Sequence, residues 1–339
     1  MIQNRSFRDY IASRFHSELF EVVSRYITIF SNELKLQLWQ QSIAQFEDLG
    51  LSKLNVLFVY VDDQPKMKIC FDVVVDAEII DQQSPNHYSE PNVYHLWLKL
   101  GCFGDLDCDL DDFQVLSIKI YDRNTDHENS LSDELIPYIC TEGLDKVALD
   151  FVARYYPEAL EKSMPIDPYE LAHRMSLEVK QRDISKDCSI FGQIFFQDSE
   201  GIFYDRQKDK MVVETVKAKT IFVDLRAYFL RNLGSVNNTI VHECVHWDKH
   251  RKAIKLENFY DNDATKIVCT VTGSVAGKQK EAIEWIEWQA NKLAPRIQMP
   301  FIMFQLKAPP ILPLTQLAWA ARLPTPVSAP DPATPRPRP

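Results

Sequence analysis

The sequence predicts an α+β protein in which N-terminal helices and a small antiparallel sheet are followed by a second set of helices and short strands. Three observations predict this class. Apolar residues recur at three-and-four spacing over residues 1–48, as on amphipathic helices. Residues 54–122 are rich in β-branched and aromatic residues and are interrupted by turn-forming segments. Beyond residue 144, helical and strand-like segments follow one another at short intervals.

The composition is that of a folded globular protein with room for more than one domain. The chain has 339 residues, of which 45% are hydrophobic and 25% are charged. Its net charge of −10 argues against a general surface for nucleic acid or anionic lipid, because both require basic patches. We therefore expect no direct nucleic-acid binding and no membrane partner.

The N-terminal residues and the cysteines favour a cytoplasmic location. The first fifteen residues carry charges throughout and lack the apolar core of a signal peptide. No run of eighteen apolar residues occurs in the sequence. The seven cysteines are odd in number and scattered, which is typical of reduced thiols and not of a disulfide framework.

The first region is predicted to contain two helical stretches and an antiparallel sheet. The helical stripe runs from Phe7 to Tyr26 and, after a break near Ser31, continues from Leu36 to Phe46. Strand composition follows in four segments: 54–62, 66–80, 92–103 and 111–122. We interpret residues 1–130 as an α+β N-terminal domain of unknown role.

A polar linker at 122–134 precedes the second region, which we assign to residues 131–306. Helices are predicted over 144–156 and from Pro168, where Asp167 is suited to cap the helix. Strands are predicted in four segments: 177–184, 189–198, 201–206 and 219–225. Residues 307–339 contain ten prolines and one acidic residue, which predicts a disordered tail without a packed core.

The stretch "TIVHECVHWDKH", residues 239–250, places His242 and His246 four apart with Glu243 directly after the first histidine. Residues i and i+4 share one face of a helix, so both imidazoles can point at one metal ion. Glu243 is rotated by about 100°, which lets its carboxylate reach a metal-bound water. Zinc lowers the pKa of that water towards ~7, while Glu243 accepts its proton and passes it to a leaving amine. The stretch predicts a hydrolytic zinc site with Glu243 as the general base.

The motif helix is predicted to begin at Asn237, Asn238 or Thr239, because each could cap it. Apolar residues surround the histidines, as expected for a helix buried behind a metal site. Asp248 and Lys252, four residues apart, form a favourable pair on the same helix.

A catalytic zinc needs a third protein ligand and one open position. His250 lies two turns from His242, about 12 Å along a straight helix, so we expect it on the helix face and outside the ligand set. Carboxylates in "KEAIEWIEWQANKLAP", a predicted helix stopped by Pro295, are better placed, but spacing alone does not choose between Glu284 and Glu287. The downstream candidates as a group are His250, Glu257, Asp261, Asp263, Glu281, Glu284 and Glu287.

Two motifs in order, "NTIVHECVHW" and "EWQANKLAPRIQMP", resemble the ImmA/IrrE metallopeptidases. That family carries a His-Glu-x-x-His helix and a later Glu-x-x-Ala-Asn helix ending near "MP". The segments "MPIDPYELAHRMSLEV" and "KTIFVD" resemble the family's lead-in helix and strands, so the resemblance covers about residues 142–304. It implies a zincin-like metallopeptidase domain with an active-site helix packed on a short sheet.

Residue by residue, the resemblance implies that His242, His246 and Glu287 ligate Zn²⁺ and that Glu243 is the general base. Asn291 matches the motif's asparagine, which implies a hydrogen-bond partner behind a ligand. The chain departs from the family pattern by a longer interval between His246 and Glu287, where 261–279 is predicted to be an inserted hairpin or loop.

Family members commonly cleave a helix-turn-helix repressor, so the resemblance implies a zinc endopeptidase acting on a protein substrate such as a transcriptional repressor. We expect the peptide to pair along a strand edge, for which "SIFGQIFFQD" is the candidate. Tyr260 and His250 are candidate oxyanion donors. The alternative from another class is a non-catalytic sensor or binding module that uses the peptidase fold to recognise a regulatory partner.

Overall fold

The computed structural model describes residues 6–34, 49–81, 93–123, 130–162, 164–230, 232–260, 266–270 and 278–300. Within these ranges the chain is a mixed α+β structure with helices and antiparallel sheets, as the sequence predicts. The helical stretch predicted after Leu34 and the proline-rich tail predicted over 307–339 lie outside the described residues.

Two helices open the chain, α1 (Phe7–Arg14) and α2 (His16–Ile29). The Ser6 side chain caps α1 by accepting a hydrogen bond from the backbone of Asp9. The predicted apolar stripe is the buried face of both helices and consists of Phe7, Ile11, Phe15, Leu19, Val23 and Ile27.

The two helices pack against a four-stranded antiparallel sheet. Its strands pair in chain order and are β1 (Leu49–Val61), β2 (Lys68–Asp81), β3 (Val93–Asp105) and β4 (Gln114–Ile120). Alternate residues of β2 turn to the core, and Val73, Val75 and Ala77 are fully buried. The helix-then-sheet prediction for this region is confirmed.

The second region begins with helices α3 (Leu144–Tyr155), α4 (Glu158–Glu161) and α5 (Pro168–Arg174). Asp167 caps α5 through the backbone amides of Tyr169 and Glu170, with Pro168 at the first helical position, as predicted. Five strands follow: β5 (Glu178–Gln181), β6 (Ile190–Phe195), β7 (Ser199–Asp205), β8 (Lys210–Val216) and β9 (Thr220–Val223). The sequence prediction missed β8, which pairs with β7 in a hairpin.

The motif segment follows α6 (Arg226–Leu230) and consists of α7 (Leu233–Val245), a π-helical turn (His246–His250) and α8 (Arg251–Tyr260). The last elements are β10 (Lys266–Thr270) and α9 (Lys278–Gln298). A second sheet has the strand order β10-β6-β9-β5, with β5 parallel to β9 and the other neighbours antiparallel. Helix α7 packs on β6 and β9, which are buried beneath it.

Two predicted helix boundaries are wrong. Helix α7 begins before Asn237, because the side chain of Asn232 caps it by accepting a hydrogen bond from the Ser235 amide at 2.9 Å. Helix α9 does not stop at Pro295, which lies inside it. A proline removes one backbone hydrogen bond, and here Ala294 and Ile297 on either side of it stay fully buried.

The apolar residues form two main cores. One is built from residues 7–135 and the other from residues 136–297, and α8 joins them because its Leu256 packs in the first core. Phe259 stacks on Tyr10 with ring centroids 4.5 Å apart. The assignment of two separate domains with a boundary near residue 130 stays a prediction. Among the described helices, none has the length and apolarity needed to cross a membrane.

Lys252 also connects the two regions, and its burial gives a pH-dependent prediction. Its ammonium donates to the carbonyl of Gln64 in the turn between β1 and β2. Burial lowers the pKa of Lys252 to about 8; Asp63 opposes this shift, and Lys249 and Arg251 add to it. The unfolded chain therefore binds more protons than the folded chain between pH 8 and the ordinary lysine value, so this residue makes stability rise with pH over that window.

We expect Lys252→Met to remove that rise. Relative to the variant, the parent should gain roughly 3 kcal/mol in free energy of unfolding between pH 8 and about 10.5, from the size of the pKa shift. Urea unfolding of both proteins across this range measures the difference. Parallel curves for the two proteins would show that Lys252 titrates normally in the folded state.

Candidate metal centre

Three predicted ligands converge between α7, the π-helical turn and α9. The Nε2 atoms of His242 and His246 lie 2.8 Å apart. Glu287 Oε2 lies 3.3 Å from His242 Nε2, and Glu287 Oε1 lies 3.4 Å from His246 Nε2. One ligand atom from each residue lies within 4.8 Å of the other two, and the group could hold a metal ion.

Glu287 and not Glu284 faces the histidines. Glu284 lies almost one turn earlier on α9 and is exposed, whereas the Glu287 side chain is 23% exposed. Of the other candidates, Asp261 and Asp263 lie outside the described residues. The geometry thus selects the same carboxylate as the resemblance to the Glu-x-x-Ala-Asn motif.

Hydrogen bonding and burial oppose each other at Glu287. Burial acts to raise its pKa, but hydrogen bonding by the neighbouring imidazoles, that of His242 first, outweighs burial and holds the pKa far below the usual value. Burial lowers the pKa of His246, and the neighbouring His242 lowers it further. Glu287 is therefore ionised and His246 neutral near pH 7, which are the protonation states in which both residues ligate metals.

Glu243 lies beside this group with no hydrogen-bond partner for either carboxylate oxygen among the described residues. The residue is fully buried. Burial raises its pKa well above the usual value, and the nearby Glu287 carboxylate adds to the shift. A buried carboxylate without a donor is costly, and a cation held by His242, His246 and Glu287 would offset that cost.

Gly192 on β6 leaves the space that the Glu243 carboxylate occupies. A Cβ atom at position 192 would lie 2.7 Å from Glu243 Oε1 and closer still to Thr239 Cγ2. Both contacts are shorter than atoms of these types tolerate. The sheet therefore approaches the motif helix closely at this point because residue 192 has no side chain.

We expect Gly192→Ala to lower the free energy of unfolding by about 1–3 kcal/mol, the usual cost of overpacking. Thr239→Ser removes the Cγ2 contact and should recover part of that loss in a double-mutant cycle. Gly143→Ala is the control, because a Cβ there meets only Cys140 Sγ at an ordinary 3.4 Å. Equal stability of the two alanine variants would mean that β6 does not approach α7 this closely.

The π-helical turn brings a third histidine into contact with the site. His250 is fully buried, and its Nδ1 atom lies 3.0 Å from His246 Nδ1. It stays outside the group of ligand atoms, as the sequence prediction has it, but it is a buried neighbour of His246 and does not lie on an exposed helix face. Wide π turns of this kind often occur at functional sites.

Asp248 fixes the outer side of this turn. Its Oδ1 atom accepts hydrogen bonds from Tyr155 Oη at 2.6 Å and Arg154 Nη1 at 3.0 Å, both on α3. The predicted pair with Lys252 does not form, because Lys252 points to Gln64 instead. The π-helical turn is therefore held to α3 on one side and packs against α9 on the other.

Asn291 is exposed on α9. Its place behind a ligand, which the resemblance implies, stays a prediction. The polar groups behind the histidines are His250 and Gln289, both fully buried. Gln289 was missed, although a polar residue three positions after Ile286 on an apolar stripe is a signal for it.

Two expectations about the substrate are wrong. Strand β6, the candidate edge for a bound peptide, is paired on both sides, by β9 and by β10. Strand β10 comes from the predicted insertion at 261–279 and takes the edge that a peptide would need. Tyr260, a candidate oxyanion donor, donates to the Ser6 carbonyl at 2.8 Å and is directed away from the site.

The donor set fits a small divalent cation that accepts nitrogen and oxygen. Two nitrogen ligands of a tetrahedral zinc lie roughly 3.4 Å apart, since each is about 2.1 Å from the ion. The observed 2.8 Å between Nε2 atoms needs a small outward movement of one ring. A dication would also compensate the buried Glu243 and the partly buried Glu287, whose carboxylates lie close enough to interact.

No family model, curated protein or solved structure matches this chain.

Proposed function

We propose that the chain is a zinc-dependent endopeptidase with a zincin-like domain, in which α7 is the active-site helix on the short β10-β6-β9-β5 sheet. The observation that carries the proposal is the combination of three ligand side chains with an unpartnered carboxylate beside them. His242, His246 and Glu287 lie within 4.8 Å of one another, and Glu243 is buried next to them without a donor. That arrangement, on a His-Glu-x-x-His helix, is the one metallopeptidases use.

In this proposal each side chain has one task. His242 and His246 hold the ion through Nε2, and Glu287 holds it through its carboxylate. When bound, zinc supplies a Lewis acid that polarises a carbonyl and lowers the pKa of coordinated water. Glu243 accepts a proton from the attacking water and delivers it to the leaving amine. Gly192 leaves room for that carboxylate.

The substrate class in the proposal is a protein. The resemblance of the two motifs to the ImmA/IrrE metallopeptidases supports a helix-turn-helix transcriptional repressor as that substrate. A cytoplasmic location is part of the proposal, because the six cysteines whose side chains the structure describes are free thiols.

A second candidate is a non-catalytic module that binds metal and recognises a regulatory partner. Two observations favour it. Glu243 and His246 are fully buried, and β10 occupies the side of β6 on which a peptide would pair. A site closed in this way can hold a metal for structure or sensing without admitting a peptide.

Zinc content and new N-termini separate the candidates. Purified protein should contain about one zinc per chain by mass spectrometry. The zinc-loaded protein, incubated with a cell lysate, should generate new protein N-termini that the chelated protein does not. Zinc at full occupancy with no zinc-dependent N-termini, in the lysate and in expressing cells, would favour the binding module. Absence of zinc binding would reject both.

A further inference from the structure

A chain of four buried polar groups extends from His246 away from the other ligands. His246 Nδ1 lies 3.0 Å from His250 Nδ1, and His250 Nε2 lies 2.9 Å from Gln289 Oε1. Gln289 Nε2 in turn donates to the carbonyl of Pro137 at 2.8 Å. All three side chains are fully buried, so each contact is between groups that have no access to solvent.

The direction of every hydrogen bond in this chain follows from its far end. The Pro137 carbonyl can only accept, so the amide nitrogen of Gln289 faces it and the amide oxygen faces His250. That oxygen accepts from His250 Nε2, which must therefore carry the proton. In a neutral imidazole the other nitrogen is then an acceptor, so His250 Nδ1 accepts from His246 Nδ1.

The direction of these hydrogen bonds determines which nitrogen of His246 is free to bind a metal. With its proton on Nδ1, His246 has a free lone pair on Nε2, and Nε2 is the atom that lies with His242 and Glu287. The opposite tautomer would place a proton where the metal binds. A charged His250 would reverse the bond to His246, but it would be a buried cation with no carboxylate within hydrogen-bond distance among the described residues.

We propose that His250 is a positioning residue, oriented by Gln289, that holds His246 in the Nδ1–H tautomer and turns its Nε2 toward the metal. The inference rests on the proposed metal site and goes beyond it by assigning the third histidine of "HECVHWDKH". The π-helical turn contributes by placing the two imidazole ring centres 5.1 Å apart, with their Nδ1 atoms facing. Partners of this kind raise the basicity of a ligating histidine and fix its orientation.

The tests use the full-length protein with ¹⁵N-labelled histidine and a zinc-competing chelator. In the zinc-free parent, long-range ¹H–¹⁵N spectra should show His246 protonated on Nδ1 and His250 on Nε2. His250→Phe keeps an aromatic ring of similar size and removes the acceptor. We expect its zinc affinity to fall about 10–100-fold, with His246 distributed between both tautomers.

Gln289 supplies a matched pair that separates positioning from packing. Gln289→Met removes the acceptor and should lose about tenfold in zinc affinity, because His250 is then free to reverse. Gln289→Glu as a neutral acid accepts from His250 Nε2 and donates to the Pro137 carbonyl, so it keeps both contacts of the glutamine and should stay within a few-fold of the parent. A purely structural role predicts the reverse order, since a buried carboxyl group fits the core less well than methionine. This pair also carries the test if His250→Phe does not fold.

Two outcomes distinguish failure of this inference from failure of the metal site. If the parent binds zinc and loses it in Glu287→Ala, but His250→Phe and Gln289→Met bind as tightly as the parent, the positioning role is overturned. If the parent itself binds no zinc, the metal site is wrong; in that case the His246 tautomer in the NMR spectrum still decides whether the chain of hydrogen bonds has the proposed direction.

Discussion

Glu243→Gln is expected to abolish protein cleavage while leaving zinc binding intact. Glutamine keeps the size of the side chain and loses the proton acceptor, so the rate should fall by about 10³-fold, within the range for removal of a general base. Zinc affinity should stay within a few-fold of the parent, because Glu243 is not one of the three grouped ligand residues. New N-termini in cells expressing the parent or the variant, together with zinc content, measure both effects.

The same variant is expected to be more stable than the parent when both are free of metal. Glu243 is fully buried without a hydrogen-bond donor in the described structure, which raises its pKa. The metal-free parent must therefore take up a proton on this carboxyl group to fold near pH 7, and glutamine avoids that cost. We expect a gain of roughly 1–3 kcal/mol in free energy of unfolding. Glu284→Gln, the same change at an exposed position of α9, is the control and should alter neither cleavage nor stability. If the Glu243→Gln protein gave the same new N-termini at the parent rate, Glu243 would not be the general base, and the binding-module candidate would be favoured.

The fold was predictable where the spacing of apolar residues fits only one type of secondary structure. Buried side chains recur at three-and-four spacing on a helix and at every second residue on a strand, so the stripe from Phe7 to Ile27 and the alternation in the first sheet identify their elements directly. Strand β8 was missed because much of it is exposed, so it lacks the apolar alternation of a strand with one buried face. The early start of α7 was missed because tertiary packing, and not the motif alone, stabilises its first turn. Val236, which precedes the predicted start, is buried in the core.

The grouping of His242, His246 and Glu287 was predictable from the sequence, but the surroundings of these residues were not. The spacing of His242 and His246 fixes both on one helix face, and the Glu-x-x-Ala-Asn resemblance selects Glu287. The role of His250 depends on a π-helical turn and on a glutamine from α9, 39 residues away along the chain. No local pattern encodes that contact. The occupation of the β6 edge by β10 is equally non-local, since it arises from the packing of an inserted segment.

Glu287→Ala is expected to lose zinc, and it is the variant on which the identity of the site depends most directly. Removing the only carboxylate grouped with His242 and His246 in the described residues should weaken zinc binding by at least about 100-fold, since even partners behind a ligand are worth 10–100-fold. Glu284→Ala, three residues earlier and exposed, should bind like the parent. Competition with a chromophoric chelator measures both affinities. If Glu284→Ala lost zinc and Glu287→Ala kept it, α9 would have to be rotated relative to the motif helix, and the contact between His250 and Gln289 could not form as described.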